Sequence, residues 1–119
     1  MKPIRILTLF SLILLPIISP AQIVTNRWTG GSDADWFNPN NWSLTQIPQA
    51  GQAVVLDDGF VTAYTNILLT QSTPALASLE ITNRLLTFSN WSTFLSATTI
   101  TLRSSATLTL PAADRKSTR

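Results

Sequence analysis

The sequence contains no cysteine and no histidine. Disulfides, thiolate chemistry, most zinc and haem sites and the commonest general base are therefore excluded together. Charge is scarce too: 12% of residues are charged, with eight Lys and Arg against six Asp and Glu. Neutralising several phosphates requires clustered cations. The stretch from Gln22 to Ala113 offers only Arg27, Arg84 and Arg103, beside Asp33, Asp35, Asp57, Asp58 and Glu80. Nucleic acid is not an expected partner. A chain of 119 residues makes one domain, without the interdomain cleft of a larger enzyme. At 45% hydrophobic residues it should not be disordered overall.

What is present begins with an address. Lys2 and Arg5 precede an apolar run from Ile6 to Ile18, followed by Ser19, Pro20, Ala21 and Gln22. A basic start, a short apolar stretch and small residues at −3 and −1 are the three parts of a secretory signal peptide. Cleavage is expected after Ala21. As a helix the run would reach only about 20 Å, against a hydrocarbon core of roughly 30 Å, so no stable membrane span is expected after cleavage. No cysteine follows the run to take a lipid. Loss of residues 1–21 removes Lys2 and Arg5 and leaves six charges of each sign. Small secreted animal modules usually rely on disulfides, so export without cysteine fits a bacterial surface or secreted protein.

Residues 22–50 form a turn-rich segment of Asn, Asp, Gly and Trp, including Asn26-Arg27-Trp28-Thr29-Gly30-Gly31 and Asp35-Trp36-Phe37-Asn38-Pro39-Asn40-Asn41-Trp42. From residue 51 to residue 110 the texture changes to Thr, Val, Ile and Leu with period two, which favours strands. Strands are predicted over Ala53–Asp57, Val61–Thr70, Ala77–Asn83, Leu85–Ser89, Ser96–Arg103 and Ala106–Leu110. No window carries a capped helical period, so the mature chain is predicted all-β.

Leu79 to Ile100 and Ile81 to Leu102 are each 21 residues apart, and Leu86 to Leu108 and Phe88 to Leu110 are each 22. That period is about one coil of a parallel β-solenoid, in which these residues point inward and stack on their counterparts. An antiparallel sandwich with plain alternation gives a similar spacing. A solenoid needs its ends covered, and the tryptophan segment stands where an N-terminal cap belongs. Residues 111–119 read as a disordered polar tail. With no second cap in sight, the expectation is the N-terminal part of a longer protein, or a truncated reading frame.

Trp28-Thr29-Gly30, Asp35-Trp36, Asn38-Pro39, Asn41-Trp42-Ser43 and Pro48, followed by Ser78-Leu79-Glu80-Ile81, resemble a Trp-rich module that opens large secreted and surface proteins of bacteria, especially of the Bacteroidetes group. The chain departs from that module at Phe37-Asn38 and lacks the downstream glycines often found at coil corners. Trp42, Pro48, Gly51, Val54 and Leu79 are also similar to the G8 domain, a β-rich extracellular module, although most of its glycines are missing. The resemblance spans roughly residues 26–110. It implies a right-handed β-helix or solenoid start in an adhesin-like or polysaccharide-associated protein, and it implies no reaction.

Trp28, Trp36 and Trp42 have two readings. They form a platform on which sugar rings stack, or they cover the apolar end of the first coil. Asp33 and Asp35 with Asn38, Asn40 and Asn41 supply oxygens of the kind calcium takes, but the spacing fits no helix-flanked calcium loop, and the same residues build ordinary turns. No cofactor is expected. On a strand Asp57 and Asp58 point to opposite faces and would not form an acid/base pair. The Ser and Thr hydroxyls have no histidine to activate them. The expectation is a non-enzymatic secreted or cell-surface structural, adhesin-like module, with a polysaccharide or a cell-surface protein as partner. The alternatives are a carbohydrate-binding module and the start of a β-helical polysaccharide-degrading enzyme.

Overall fold

The computed structural model describes residues 2–4, 11 and 13–112. Residues 1, 5–10 and 12 of the leader and the tail from residue 113 lie outside the described residues, so the expectations for them go with them. Among the described residues no helix is long and apolar enough to cross a membrane.

Among the described residues the fold is all-β, with one 3-10 turn at Pro39–Asn41 as the helical element. The strands are β1 (Thr25–Arg27), β2 (Ala53–Leu56), β3 (Asn66–Leu69), β4 (Leu76–Thr82), β5 (Leu85–Phe88), β6 (Ala97–Arg103) and β7 (Thr107–Thr109). They form two sheets, ordered β1-β2-β4-β6 and β3-β5-β7, and every strand pairing is parallel. The antiparallel sandwich is therefore overturned. Its hairpins are absent among the described residues because β1 and β2 pair in parallel and from β2 onward successive strands belong to different sheets: β4 and β5 are separated by Asn83 and Arg84 alone, yet they never pair.

Each tight corner is made the same way. Asn83 and Ser104 both have φ near 51°, the left-handed region that turns the chain sharply. Asparagine is among the few residues other than glycine that take this conformation readily. Asn83 Nδ2 donates to Asp58 Oδ2 (2.8 Å), and its Oδ1 accepts from Ser105 N (3.3 Å), which ties three successive corners together. Arg84, largely buried, donates through Nη1 to the Asn83 carbonyl and through Nη2 to the Phe60 carbonyl, clamping the corner onto the preceding loop.

The register is the one the repeat implies. Leu79 lies beside Ile100, Ile81 beside Leu102 and Leu86 beside Leu108. The ladder of the second sheet stops at Thr87 and Thr109, one residue short of the expected partnership of Phe88 with Leu110. Inward-pointing Val54 and Leu56 of β2, Ile67 and Leu69 of β3, Leu76, Leu79 and Ile81 of β4, and Leu86 and Phe88 of β5 join one core cluster. Threonines alternate outward, and across tiers the outer faces are tied by Arg103 Nε to Glu80 Oε1 (3.0 Å) and Thr87 Oγ1 to Asn66 Oδ1 (2.8 Å). Such exposed ties contribute little, typically about 0–1 kcal/mol each.

Two expectations need correction. The strand predicted over Val61–Thr70 is confined to Asn66–Leu69. The residues before it are spent on the cap: Thr62 Oγ1 donates to the Gly30 carbonyl (2.8 Å) and the Tyr64 carbonyl accepts from the Trp28 indole. Gly30, at φ 59°, is required here, because a Cβ would stand 2.5 Å from Thr62 Oγ1. Secondly, residues 22–50 are not only turns. Thr25–Arg27 pairs with β2, and Asp35 makes a parallel bridge to Leu68, so the segment places a strand in one sheet and a single bridge against the other.

The core column sets a contrast that can be measured. Ile81→Ala should cost about 2–5 kcal/mol, the usual range for emptying a buried aliphatic site. Leu102→Ala, one tier on and 48% exposed, should cost under ~1 kcal/mol. Equilibrium denaturation of both variants checks this, and equal losses would contradict the placement.

Candidate functional site

The three tryptophans come together, and they come together inside. Trp28 and Trp36 are 0% exposed and Trp42 is 3% exposed. Trp42 sits between the others edge-on, with ring centroids 5.2 Å from Trp28 and 4.9 Å from Trp36 and interplanar angles of 83° and 70°. T-shaped contacts of this kind bring the positive ring edge to the negative face and add about 0.5–1.5 kcal/mol per pair to simple burial. The Trp28 indole N–H donates to the Tyr64 carbonyl (3.2 Å) and that of Trp42 to the Trp36 carbonyl (2.7 Å). Trp36 Nε1 is buried and meets no protein acceptor, a cost on the order of 1–3 kcal/mol. With no ring face reaching solvent, this layer offers a sugar nothing to stack on.

The turns that hold the layer are built around two buried amides. Asn41 accepts at Oδ1 from the backbone N–H groups of Ser32 (2.9 Å) and Asp33 (3.0 Å), and its Nδ2 donates to Asp33 Oδ1 (2.7 Å) and the Asp35 carbonyl (2.8 Å). Asn26, on β1, points inward and donates through Nδ2 to the Gln46 carbonyl (2.7 Å). Its Oδ1 accepts from Leu44 N (3.3 Å) and Ser43 Oγ (3.4 Å). Asn38 caps the 3-10 turn, accepting from Asn40 N (3.0 Å). Hydrogen bonds at both the oxygen and the nitrogen of Asn26 and Asn41 are what allow these amides to be buried.

The acidic residues are engaged by the same logic. Asp33 Oδ2 accepts from Asn38 Nδ2 (2.7 Å), and its Oδ1 accepts from Asn41 and from Asp35 N (2.9 Å). Donation from Asn38, then from the Asp35 backbone, then from Asn41 lowers the Asp33 pKa. Donation from Asn83 does the same, as the leading cause, at Asp58. Asp35 Oδ1 receives Phe37 N, Asp57 pairs with Arg27 (2.8 Å), and Glu80 pairs with Arg103. A cation at the Asp33 cluster would have to displace amide donors from both oxygens.

The exposed indole is a different one. Trp91 is 60% exposed beside Phe94 at 63%, at the end of the stack away from the buried layer. Asn90 shapes the turn, its Oδ1 accepting from Ser92 N (3.0 Å) and Thr93 Oγ1 (2.9 Å). Trp91, Phe94, Leu95, Ile100, Leu108 and Leu110 line a concavity of about 450 Å³. The sequence reading passed over Trp91. The signal was there, since Asn90-Trp91-Ser92 repeats the tripeptide Asn41-Trp42-Ser43.

No protein-family model, curated protein or solved structure matches the chain.

Two outcomes test the layer. Trp42→Ala should destabilise the protein by about 3–5 kcal/mol, as emptying a large aromatic site does, seen as loss of near-ultraviolet circular dichroism at lower denaturant. Asp33 has a depressed folded pKa, so its contribution is present above the unfolded carboxylate value and is lost as pH falls through the folded value. Acidification below about pH 4 should therefore loosen the tryptophan layer. Asp33→Asn should flatten that part of the stability–pH profile and Asp58→Asn should leave the indole signal unaffected.

Proposed function

We propose that this chain is an exported, non-catalytic β-solenoid module, right-handed and closed at its N-terminal end by the tryptophan layer, which gives a bacterial surface or secreted protein a stiff adhesin-like element. The observation that carries the reading is the parallel, in-register stacking of both sheets on one aliphatic column, with Leu79, Ile81 and Leu86 each resting against its counterpart in the next tier. A right-handed crossover is the ordinary outcome for parallel strands joined in this way. The short corners at Asn83 and Ser104 agree with it, and they supply without glycine the sharp bends such a coil needs.

The side-chain chemistry supports a mechanical role. Every carboxylate among residues 22–112 accepts a hydrogen bond or ion pair within the fold, and the serines and threonines lie on outward strand positions or in turns with no histidine near them. Such a surface presents shape and hydroxyls to a partner, and a polysaccharide or a cell-surface protein is the partner class of this reading. The resemblance carried by Trp28-Thr29-Gly30 and Asn41-Trp42-Ser43 favours the same setting. Export rests on the basic start, the apolar run from Ile6 to Ile18 and the small residues before Gln22.

Expression of the full chain in a bacterium tests the reading. The exported fraction should contain a protein beginning at Gln22 by N-terminal sequencing, folded by circular dichroism and without hydrolytic activity on a panel of polysaccharides. A cytoplasmic precursor retaining Met1, or hydrolysis of any of the glycans, would overturn it.

A further inference from the structure

The two ends of the stack are not alike. At one end the tryptophan layer covers the core. At the other, β6 and β7 are the last strands of their sheets among the described residues, and there each is paired on one side only. Positions that are sealed one tier earlier are open here: Leu79 is 1% and Ile81 0% exposed, while their register partners Ile100 and Leu102 are 44% and 48% exposed. Leu110 is 60% exposed, and the concavity between the two edges is lined by aliphatic and aromatic side chains.

We infer that this end is a docking surface for one further coil of polypeptide, entering parallel to β6 and β7, with aliphatic side chains set down on Ile100, Leu102, Leu108 and Leu110 and a loop laid against Trp91 and Phe94. The inference rests on the solenoid reading above and adds the occupant. Three features select a polypeptide over a small apolar ligand. Two strand edges flank the concavity, and their unpaired N–H and C=O groups are satisfied by another strand and by nothing apolar. The loops already stack at the interval of the strands: Phe94 N donates to Ser72 Oγ and Ser96 N to Thr73 Oγ1, 22 and 23 residues away. The pattern also continues past β7, where the Trp91 indole donates to the Ala112 carbonyl (3.1 Å), an interval of 21 residues. Thus the backbone leaving β7 has taken the first position of another tier.

Neither of the nearer occupants fits. Ala113 to Arg119 carry Asp114, Arg115, Lys116 and Arg119 and no large aliphatic residue, the wrong chemistry for four apolar positions. A second copy cannot add a parallel tier, because its own first tier is covered by Trp28, Trp36 and Trp42. It could meet this end only antiparallel, edge to edge.

The test extends the full chain by a second copy of residues 91–112 placed directly after Ala112. Tier formation should cut acrylamide quenching of Trp91 and binding of an apolar dye several-fold, raise the melting temperature, and protect the amides of β6 and of the added strands from hydrogen exchange. Trp91→Phe identifies the quenching signal. Ile100→Lys with Leu102→Lys should abolish these gains in the extended chain while leaving the unextended chain folded, since both side chains are half-exposed there. Unchanged quenching and unprotected added strands, with β4 amides still protected, would overturn the docking inference alone. Unprotected β4 amides would overturn the parallel stack beneath it. A tight dimer of the unextended chain with Trp91 already shielded would assign the surface to a second copy and likewise overturn the inference.

Discussion

Parallel, in-register pairing in two facing sheets is the constraint on which the rest of this structure depends. It obliges each inward side chain to rest on the side chain at the same position one tier away, so the core is a column rather than a ball. Val54, Leu79 and Ile100 follow one another along the first sheet, and Ile67, Leu86 and Leu108 along the second. A column buries its middle efficiently and its ends poorly. The inward residues of β2 to β5 are almost fully buried, whereas Ile100 and Leu102 of β6 are about half exposed and Leu108 of β7 is only partly buried, although their chemistry is the same. Burial here is set by whether a tier exists on both sides, and hydrophobicity alone does not decide it.

The tryptophan segment answers the end problem with large rings and irregular backbone. Three indoles cover the area of a missing tier, and edge-on packing lets them fill it without a regular strand. Irregular backbone has orphan polar groups, however, and a cap that buried them unpaired would lose more than the rings gain. Asn41 removes most of that penalty, bonding four backbone or side-chain groups from one buried amide, and Asn26 does the same for Leu44 and Gln46. The Asn, Asp and Trp richness of residues 22–50 thus has one physical cause: the rings displace water and the amides replace its hydrogen bonds.

Part of this was legible in the sequence. The 21- and 22-residue intervals between Leu79 and Ile100 and between Leu86 and Leu108 are the observed register, because alternating aliphatic residues in a parallel stack can shift only by whole pleats without exposing themselves. The first tier was illegible for the converse reason. Asn26 pairs with Val54 and Asp35 bridges to Leu68 across longer, unequal intervals that enclose the 3-10 turn and two loops, so no period survives. Strand β3 is shorter than expected because Val61, Thr62 and Tyr64 have strand-forming side chains, yet Thr62 and Tyr64 are bonded to Gly30 and Trp28 instead of to a neighbouring strand. The corners were obscure because Asn83 and Ser104 take a backbone conformation usually sought in glycine. In the candidate site, the burial of Trp28, Trp36 and Trp42 could not be separated from a sugar platform by residue type alone. Only the geometry shows that all three rings are buried and that the N–H groups of Trp28 and Trp42 face backbone carbonyls.

The difference between the ends gives the stack a direction. At the covered end the outer edge of β1 is already bonded at Arg27, whose N–H donates to Ser43 Oγ and whose carbonyl accepts from Ser43 N, and it runs on into the Trp28–Trp42 bridge, so addition of a strand along it must break existing structure. At the β6 and β7 end the same addition breaks nothing and gains both backbone pairing and apolar contact. Strands that meet this molecule are therefore directed to one end, with an interval for a parallel tier already present in the loops at Ser72, Thr73 and Trp91. Edge-to-edge aggregation is the usual hazard of an open sheet. Here the cap confines that hazard to a single end, so that self-association of the module would stop at a pair and could not propagate as a fibre.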